Sequence, residues 1–457
     1  MAREFDPLSR LPVPSSTTPF WRACPLPLDD HRSTKTLPEI VDIAIIGAGM
    51  SGACTAYHLL KNNTEPPSIV IFEARQACSG ATGRNGGHSK ISPVTLANFH
   101  KAQGAEAAAE LATFHRTLLS ELKACVEREN IDCDLFLTRS FDVFLDQAHA
   151  DVMENEFQGF RDEGATWLKD IQFLKGKNVE RLTGISGAKG AASSPVVSLW
   201  PYKFVVGLLQ KCIEMGANLQ THTPVTKISR ESKSGLTILE TPRGTTKAKK
   251  VVFATNAYVS ALLPQYGDVI VPGRGTACHI TAKFPDDTPQ LTYTYNIHQS
   301  STSREYLIPR PDSSIILGGG QTLYRDDKSL WFDTVDDSTL ITLPDGSGVK
   351  ERYFKGYMAR HFSYYQHNPE NAEDVESIWT GIMGFTPDGF PHIGEVPREE
   401  GWFLMAGFNG GGMASIFEAA RGVVCMIQDG RKPEETSIPK LFIANEERLK
   451  RGFRLDA

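Results

Sequence analysis

The chain has no apolar run approaching the ~20 residues needed to cross a bilayer. Its opening, MAREFDPLSRLPVPSSTTPFWRACPLPLDDHRSTK, lacks the apolar core of a secretory signal, so no leader is expected. The closing GFRLDA is neither a peroxisomal nor a retention address. Positive charge is not in excess: the net charge is −6, and since a basic face would be needed to neutralise phosphates, no nucleic acid is expected as a partner, nor, without an apolar run, a membrane. Paired cysteines are missing too. The eight cysteines (24, 54, 78, 125, 133, 212, 278 and 425) include no CxxC and read as free thiols of a reducing compartment, which makes the cytoplasm the expected location. No Cys/His cluster has zinc-ligand spacing, so no metal is expected. Internal repeats and low-complexity blocks are absent.

What is present is ordinary globular composition, 40% hydrophobic and 22% charged, in 457 residues, enough for two or three domains. Prolines in residues 1–40 suggest an extended arm lying over the surface, with order beginning near Val41. Residues 41–47 (VDIAIIG) and 69–73 (IVIFE) are apolar runs suited to strands buried on both faces. Between them 50–61 reads as a helix, with Ala53, Ala56, Tyr57 and Leu60 on one side, giving a β-α-β unit. A long helical stretch follows over 94–129, and 135–145 alternates like a hairpin. Residues 203–216 read as an amphipathic helix ended at Gly216. Short strands are expected at 224–229, 235–240 and 249–254, and two more across 304–318 around a Pro-Asp turn. The last helix spans 413–428 and stops at Gly430.

Strand–helix units split by long insertions predict an α/β fold with a Rossmann-type cofactor domain built from discontinuous segments, 41–100, 195–272 and 376–430. An inserted α+β substrate domain, 101–194 and 273–375, would carry an antiparallel sheet. The arm (1–40) and a C-terminal tail (431–457) complete the chain.

Gly47-Ala-Gly49-Met50-Ser51-Gly52 follows the first strand and opens the helix. Gly47 allows the tight turn, Gly49 lets the backbone approach a pyrophosphate, and Gly52 lets helix and strand pack closely. The helix N-terminus then offers free N–H groups to phosphate. Glu73 lies 21 residues after Gly52, at the end of the second strand, where a carboxylate can accept from ribose hydroxyls; Ala74 and Arg75 adjoin it. This predicts a dinucleotide site. The motif by itself leaves NAD and FAD open.

The next stretch, Cys78-Ser-Gly-Ala81-Thr82-Gly83-Arg84-Asn85-Gly86-Gly87-His88, is rich enough in glycine to wrap closely around a flat ring. At this point the chain resembles the D-amino-acid-oxidase-like FAD-dependent oxidoreductases, the glycine-oxidase or sarcosine-oxidase group. The resemblance runs over about 41–430. Residues 195–228 look like the family's second cofactor segment, with Val225 passing the adenine. KVVFATNAY (250–258), with Ala254, Thr255 and Asn256, looks like its next strand and turn. WTGIMGFTPDGFPHIG (379–394) and GFNGGGM (407–413), with Gly381, Gly407, Asn409, Gly410, Gly411, Gly412 and Met413, look like its closing motif. Glycines just before the last helix would set its N-terminus against the flavin, where it stabilises the reduced, anionic ring.

The resemblance implies oxidation of a C–N bond. Hydride leaves the carbon beside an amine for flavin N5, the imine is hydrolysed, and O2 or another acceptor takes the electrons. A secondary amine, an N-substituted amino acid or a polyamine conjugate would be the substrate. Two departures stand out. Sarcosine-oxidase-type members place a lysine near N5 on the strand after a Tyr-x-x-Pro turn; here Tyr306-Leu-Ile-Pro309 is followed by Ile316 and Leu317. The cysteine that attaches flavin in those members is replaced by Gly381, so FAD is expected to be non-covalent, a link through another residue such as His88 staying open.

His88, Lys90 and Tyr306 are the candidate catalytic residues, Lys90 as a substitute for the missing lysine's charge. Arg304 and Arg310 flank Tyr306 and could grip a carboxylate, or simply be solvated. Trp200, Tyr202 and Trp379 suit either pocket walls or core. His279 and His361 have no assigned place. Two other readings remain: a dehydrogenase on C–N or C–O bonds using a non-oxygen acceptor, and a flavin-binding redox sensor without turnover. The oligomeric state is not legible.

Overall fold

The computed structural model describes residues 6–453 other than 62, 285, 287, 289 and 369–373. The apolar strands Ile40–Ile46 and Ile69–Phe72 pair in parallel at the centre of one sheet. Side by side in that sheet run Asn218–Gln220, Ile69–Phe72, Ile40–Ile46, Gly244–Phe253 and Trp402–Ala406, all parallel, with His392–Glu395 antiparallel at the end. Near-continuous apolar strands of this kind need cover on both faces. On one side helix Met50–Leu60, buried throughout, packs between Pro201–Glu214 and Ile416–Asp429. Lys227–Arg230 and Thr237–Thr241 form an antiparallel meander with Gly244–Phe253.

A second, largely antiparallel sheet runs Asp374–Phe385, Val271–Thr281, Ile315–Gly318, Ser303–Pro309, Thr294–Ser300, Phe136–Phe144, Gly190–Ser198 and His88–Ser89. Its two faces are buried differently. Phe141, Cys278, Tyr295, Leu307 and Leu317 belong to a satellite core on the outer face. The alternate residues Ala277, Ile308, Ile316 and Trp379 turn inward and join the main core of the first sheet's helices. The fold class is therefore the expected one: α/β, a Rossmann-type sheet with an inserted antiparallel sheet.

Several local expectations are corrected. Residues 136–144 form a single strand, not a hairpin, paired with Gly190–Ser198 and Thr294–Ser300. The long helical stretch breaks at Gly104 (φ 90°) into Pro93–Gln103 and Ala105–Glu129. Residues 195–198, 271–272 and 376–385, expected in the cofactor domain, lie in strands of the second sheet. The N-terminal arm does not merely lie over the surface. Trp21 is fully buried, its indole N–H donates to Asn85 O at 2.6 Å, and a Cβ on Gly87 would come 2.7 Å from its ring. Further on, Ser33 and Leu219 exchange hydrogen bonds, which covers the edge of the parallel sheet. Among the described residues no helix is long and apolar enough to cross a membrane, and no group of three His, Cys, Asp or Glu side chains is placed to hold a metal. All eight cysteines are unbridged.

Candidate functional site

The first glycine loop is as tight as its sequence demands. Gly47 has φ 110°, and a Cβ on Gly52 would stand 1.9 Å from Gly47 O, so neither position admits a side chain. Gly49 precedes the helix; the next N–H, of Met50, donates to Thr82 Oγ1 at 3.1 Å, and Ser51 is buried in the first turn. Glu73 is held by backbone donors: its Oε2 accepts from Ala48 N (2.9 Å) and its Oε1 from Arg75 N (3.0 Å). Its carboxylate thus stands at the loop, at the carboxyl end of the second strand. Thr223 N donates to Glu73 O at 2.8 Å, which brings the buried Val225 alongside.

The second glycine loop is tied to the first. Cys78 N donates to Ala48 O (3.1 Å). The Arg84 guanidinium donates to Ser79 O (2.8 Å), Thr380 O (2.8 Å) and Thr17 Oγ1 (3.1 Å). Arg75 pairs with buried Asp337 at 2.9 Å. Both guanidiniums therefore fasten the loop to the arm and the second sheet; only the Arg75 backbone serves Glu73. Burial draws Arg84 down to about 10, leaving it cationic at neutral pH. Gly381 lies against Arg84: a Cβ on Gly381 would stand 3.4 Å from Arg84 Cβ.

The third and fourth segments close on the same place. Ala254 O sits 2.6 Å from where a Gly47 Cβ would be. Asn256 Oδ1 accepts from Gly407 N (3.0 Å) and Phe408 N (3.2 Å), and Asn409 is bonded to Thr386 and Gly407. Gly410 faces Met383, and Gly412–Ala414 make one 3-10 turn before helix Ile416–Asp429. Met413 is buried there. Four remote stretches are thus brought together. Beside them Thr255 Oγ1 and Tyr258 Oη are buried without a partner among the described residues. Buried polar groups are ordinarily satisfied, so these two and the glycine cradle fit a large polar ligand such as FAD.

The inner face of the second sheet meets the second glycine loop through Tyr306. A Cβ on Gly86 would come 2.6 Å from the Tyr306 ring, and one on Gly318 2.0 Å. The His88 ring lies 5.9 Å from that of Tyr306, with Nδ1 3.4 Å from Thr294 Oγ1. Burial, helped by the Lys90 charge, pulls His88 down to about 3, so its imidazole is neutral. Burial pushes the Tyr306 hydroxyl up, so it stays protonated.

Lys90 is drawn to a buried carboxylate. Its ammonium is buried, bonded to Ser140 Oγ (2.6 Å) and ion-paired with Asp142 (3.2 Å), itself also bonded to Ser92. Burial alone would raise Asp142, but Lys90 and His298 hold it far below the usual carboxylate range. Burial brings Lys90 to about 8, still protonated at pH 7. Arg310 also has another use. It lies between the Trp21 and Trp200 rings (5.0 and 5.4 Å) and pairs with Asp134 at 2.7 Å. Tyr202 donates to Asp29 and Trp379 donates to Arg84 O, both as core, and half-buried His361 packs on Tyr357. His279 stacks on Phe20 and pairs with Glu376.

One inward residue carries no sequence signal. Asn296 pairs with Tyr306 across the sheet, so the two share the inner face. Its neighbours in sequence give no motif, and only the register reveals it.

The profile described as FAD dependent oxidoreductase (DAO) matches residues 42–426. The chain belongs to this family of FAD-dependent oxidoreductases, and its cofactor is FAD. It is 27% identical over 237 residues to a probable oxidoreductase OrdL of Rhizobium meliloti, spanning 51% of this chain and about half, 53%, of that relative. It is 24% identical to a glycine oxidase of Geobacillus kaustophilus, covering 80% of this chain and 87% of the relative. With the gamma-glutamylputrescine oxidoreductase of Escherichia coli it shares 22% identity, over 84% of each chain. Among solved structures, glycine oxidase from Geobacillus kaustophilus superposes with TM-score 0.65 at 21% identity, over 86% of this chain and 96% of that one. L-proline dehydrogenase from P. horikoshii gives 0.67 at 20%, over 89% and 98%. These two share the fold.

Proposed function

We propose that the chain is an enzyme that oxidises the C–N bond of an amine or amino acid, a secondary or N-substituted amine being favoured, with electrons passing to O2. The observation that carries this reading is the inner face of the second sheet, where Tyr306 and His88 stand at the glycine loop Ala81–His88. Gly47–Gly52, Glu73, the second loop, Thr255 and the closing glycines would hold FAD. Bound FAD supplies a two-electron acceptor for hydride from the carbon beside nitrogen, which leaves an imine. Neutral His88 offers a hydrogen-bond acceptor to an amine N–H, and protonated Tyr306 offers a donor. Gly381 carries no nucleophile, which supports non-covalent FAD. The eight unbridged cysteines support a cytoplasmic location.

A second reading, a dehydrogenase with a non-oxygen acceptor, is favoured by one observation: Ile316 and Leu317 are apolar and fully buried, and Lys90 is held by Asp142. Mixing the FAD-loaded protein with a panel of amines without oxygen, then admitting air, separates the readings. Bleaching with fast recolouring supports an oxidase, and slow recolouring a dehydrogenase. No bleaching by any amine or hydroxy acid rejects both and leaves a redox sensor.

A further inference from the structure

We propose that Asn296 binds the substrate, and that the site selects an amine whose anionic group, where it has one, stands well away from the reacting carbon. This rests on the amine-oxidation reading above.

The first half comes from an unsatisfied amide. Asn296 is only 6% exposed, yet its side chain has no hydrogen-bond partner among the described residues. Cross-strand register puts it between Tyr306 on one side and Asp142 on the other, all on the inner face. An amide has two donors and an acceptor, and neither polar end of Asn296 is closed off from solvent, so both are open to a ligand. The Tyr306 hydroxyl likewise has no partner among the described residues, and its ring leans over Gly318. Two unpaired polar side chains, cross-strand partners of which Tyr306 stands at the glycine loop, are what a polar substrate would satisfy.

The second half comes from where the cations stand. Around Tyr306 the inner face offers Ile308, Ile316, Ala277 and Trp379, all apolar and buried. Lys90 is neutralised by Asp142, and Arg310 by Asp134. Arg84 is occupied by backbone carbonyls and hydroxyls of the loop and the arm. None of these is free to grip a carboxylate next to the reacting carbon. Arg304 differs: it is exposed, and among the described residues its guanidinium meets only the Thr95 hydroxyl, at 3.5 Å. It lies on the same face as Tyr306 two residues along the strand, roughly 7 Å away, and its charge is felt at His88 and Lys90. An extended substrate with its amine at Tyr306 and Asn296 would present a carboxylate to Arg304 several bonds further on. The class is therefore an N-alkylamino acid of the γ or longer type, or an amide-linked amine, and not an α-amino acid.

The test uses the full FAD-loaded chain. 4-(Methylamino)butanoate, sarcosine and uncharged N-methylbutylamine are compared by anaerobic bleaching. Dissociation constants are read separately, from the flavin absorbance change that precedes bleaching. Expected is at least tenfold higher bleaching efficiency with 4-(methylamino)butanoate than with sarcosine. Asn296→Leu should weaken binding of both longer amines about tenfold, the size of one lost hydrogen bond, with FAD content retained. Arg304→Gln should weaken binding of the butanoate alone. Asn296→Ser serves the same purpose if the leucine variant does not fold. Preference for sarcosine, or unchanged binding in a folded Asn296 variant, overturns this inference while amine oxidation stands. Failure of every amine to bleach the flavin overturns both.

Discussion

Replacing Lys90 with methionine separates a structural lysine from a flavin-facing one. The ammonium lies 3.2 Å from Asp142 Oδ1, with side-chain exposures of 3% and 0%. At an effective dielectric of about 20, that separation is worth ~5 kcal/mol of gross attraction, offset by the desolvation of both ions. The net value of the pair is therefore small, but removing one member strands the other. Breaking a buried pair costs about 3–5 kcal/mol. Asp142 would keep Ser92 Oγ, a long bond from Val94 N at 3.4 Å and His298 Nε2 at 3.7 Å, so the lower end, ~3 kcal/mol, is expected. Urea unfolding of the FAD-loaded protein, followed by circular dichroism, reads this directly. The double variant Lys90→Met/Asp142→Leu should recover most of the loss, because no charge is then left unpaired. Reoxidation of bleached flavin by air should change little in Lys90→Met. A variant as stable as the parent but slow to reoxidise would show Lys90 at the flavin and refute the ion-pair argument.

Three other outcomes are expected. With Glu73 as the proposed charged acceptor for ribose hydroxyls, worth ~1.5–3 kcal/mol, Glu73→Ala should lose flavin on dialysis; full retention would count against the assignment. Acid precipitation should release FAD into the supernatant, since Gly381 offers no attachment; a yellow pellet would point to a covalent link elsewhere. Burial pushes the Glu305 carboxyl up from 4.5 to about 7. The folded state thus holds a proton that the unfolded chain has released between those values, and stability must fall as pH rises across that window. Glu305→Gln should remove this fall, gaining up to ~3 kcal/mol at pH 8 and nothing at pH 4; an equal difference at both pH values would refute it.

How far the chain can be read from its residues varies with the range of the interaction concerned. The Gly47–Gly52 turn was legible because a glycine's lack of Cβ and the strand before it act within a few residues. The place of Glu73 at the end of the second strand was legible because one β-α-β unit has a standard length. The strand that carries Tyr306 was legible from the Pro-Asp turn that follows it. The hairpin expected over 135–145 was not there, because period-two alternation is the same in a hairpin and in one strand between distant partners. Gly104 broke a helical pattern that the apolar spacing on either side continues.

The sequence alone therefore determined the glycine turn, the carboxylate at the end of the second strand and the two apolar parallel strands, since these follow from backbone sterics and local burial. Tertiary structure decided the rest: that Lys90 answers Asp142, that Arg310 is caught between Trp21 and Trp200, and that Asn296 stands beside Tyr306. Those partners lie from ten to nearly three hundred residues apart. Sheet register and the approach of two sheets bring them together, and no local pattern of residues encodes which partner arrives.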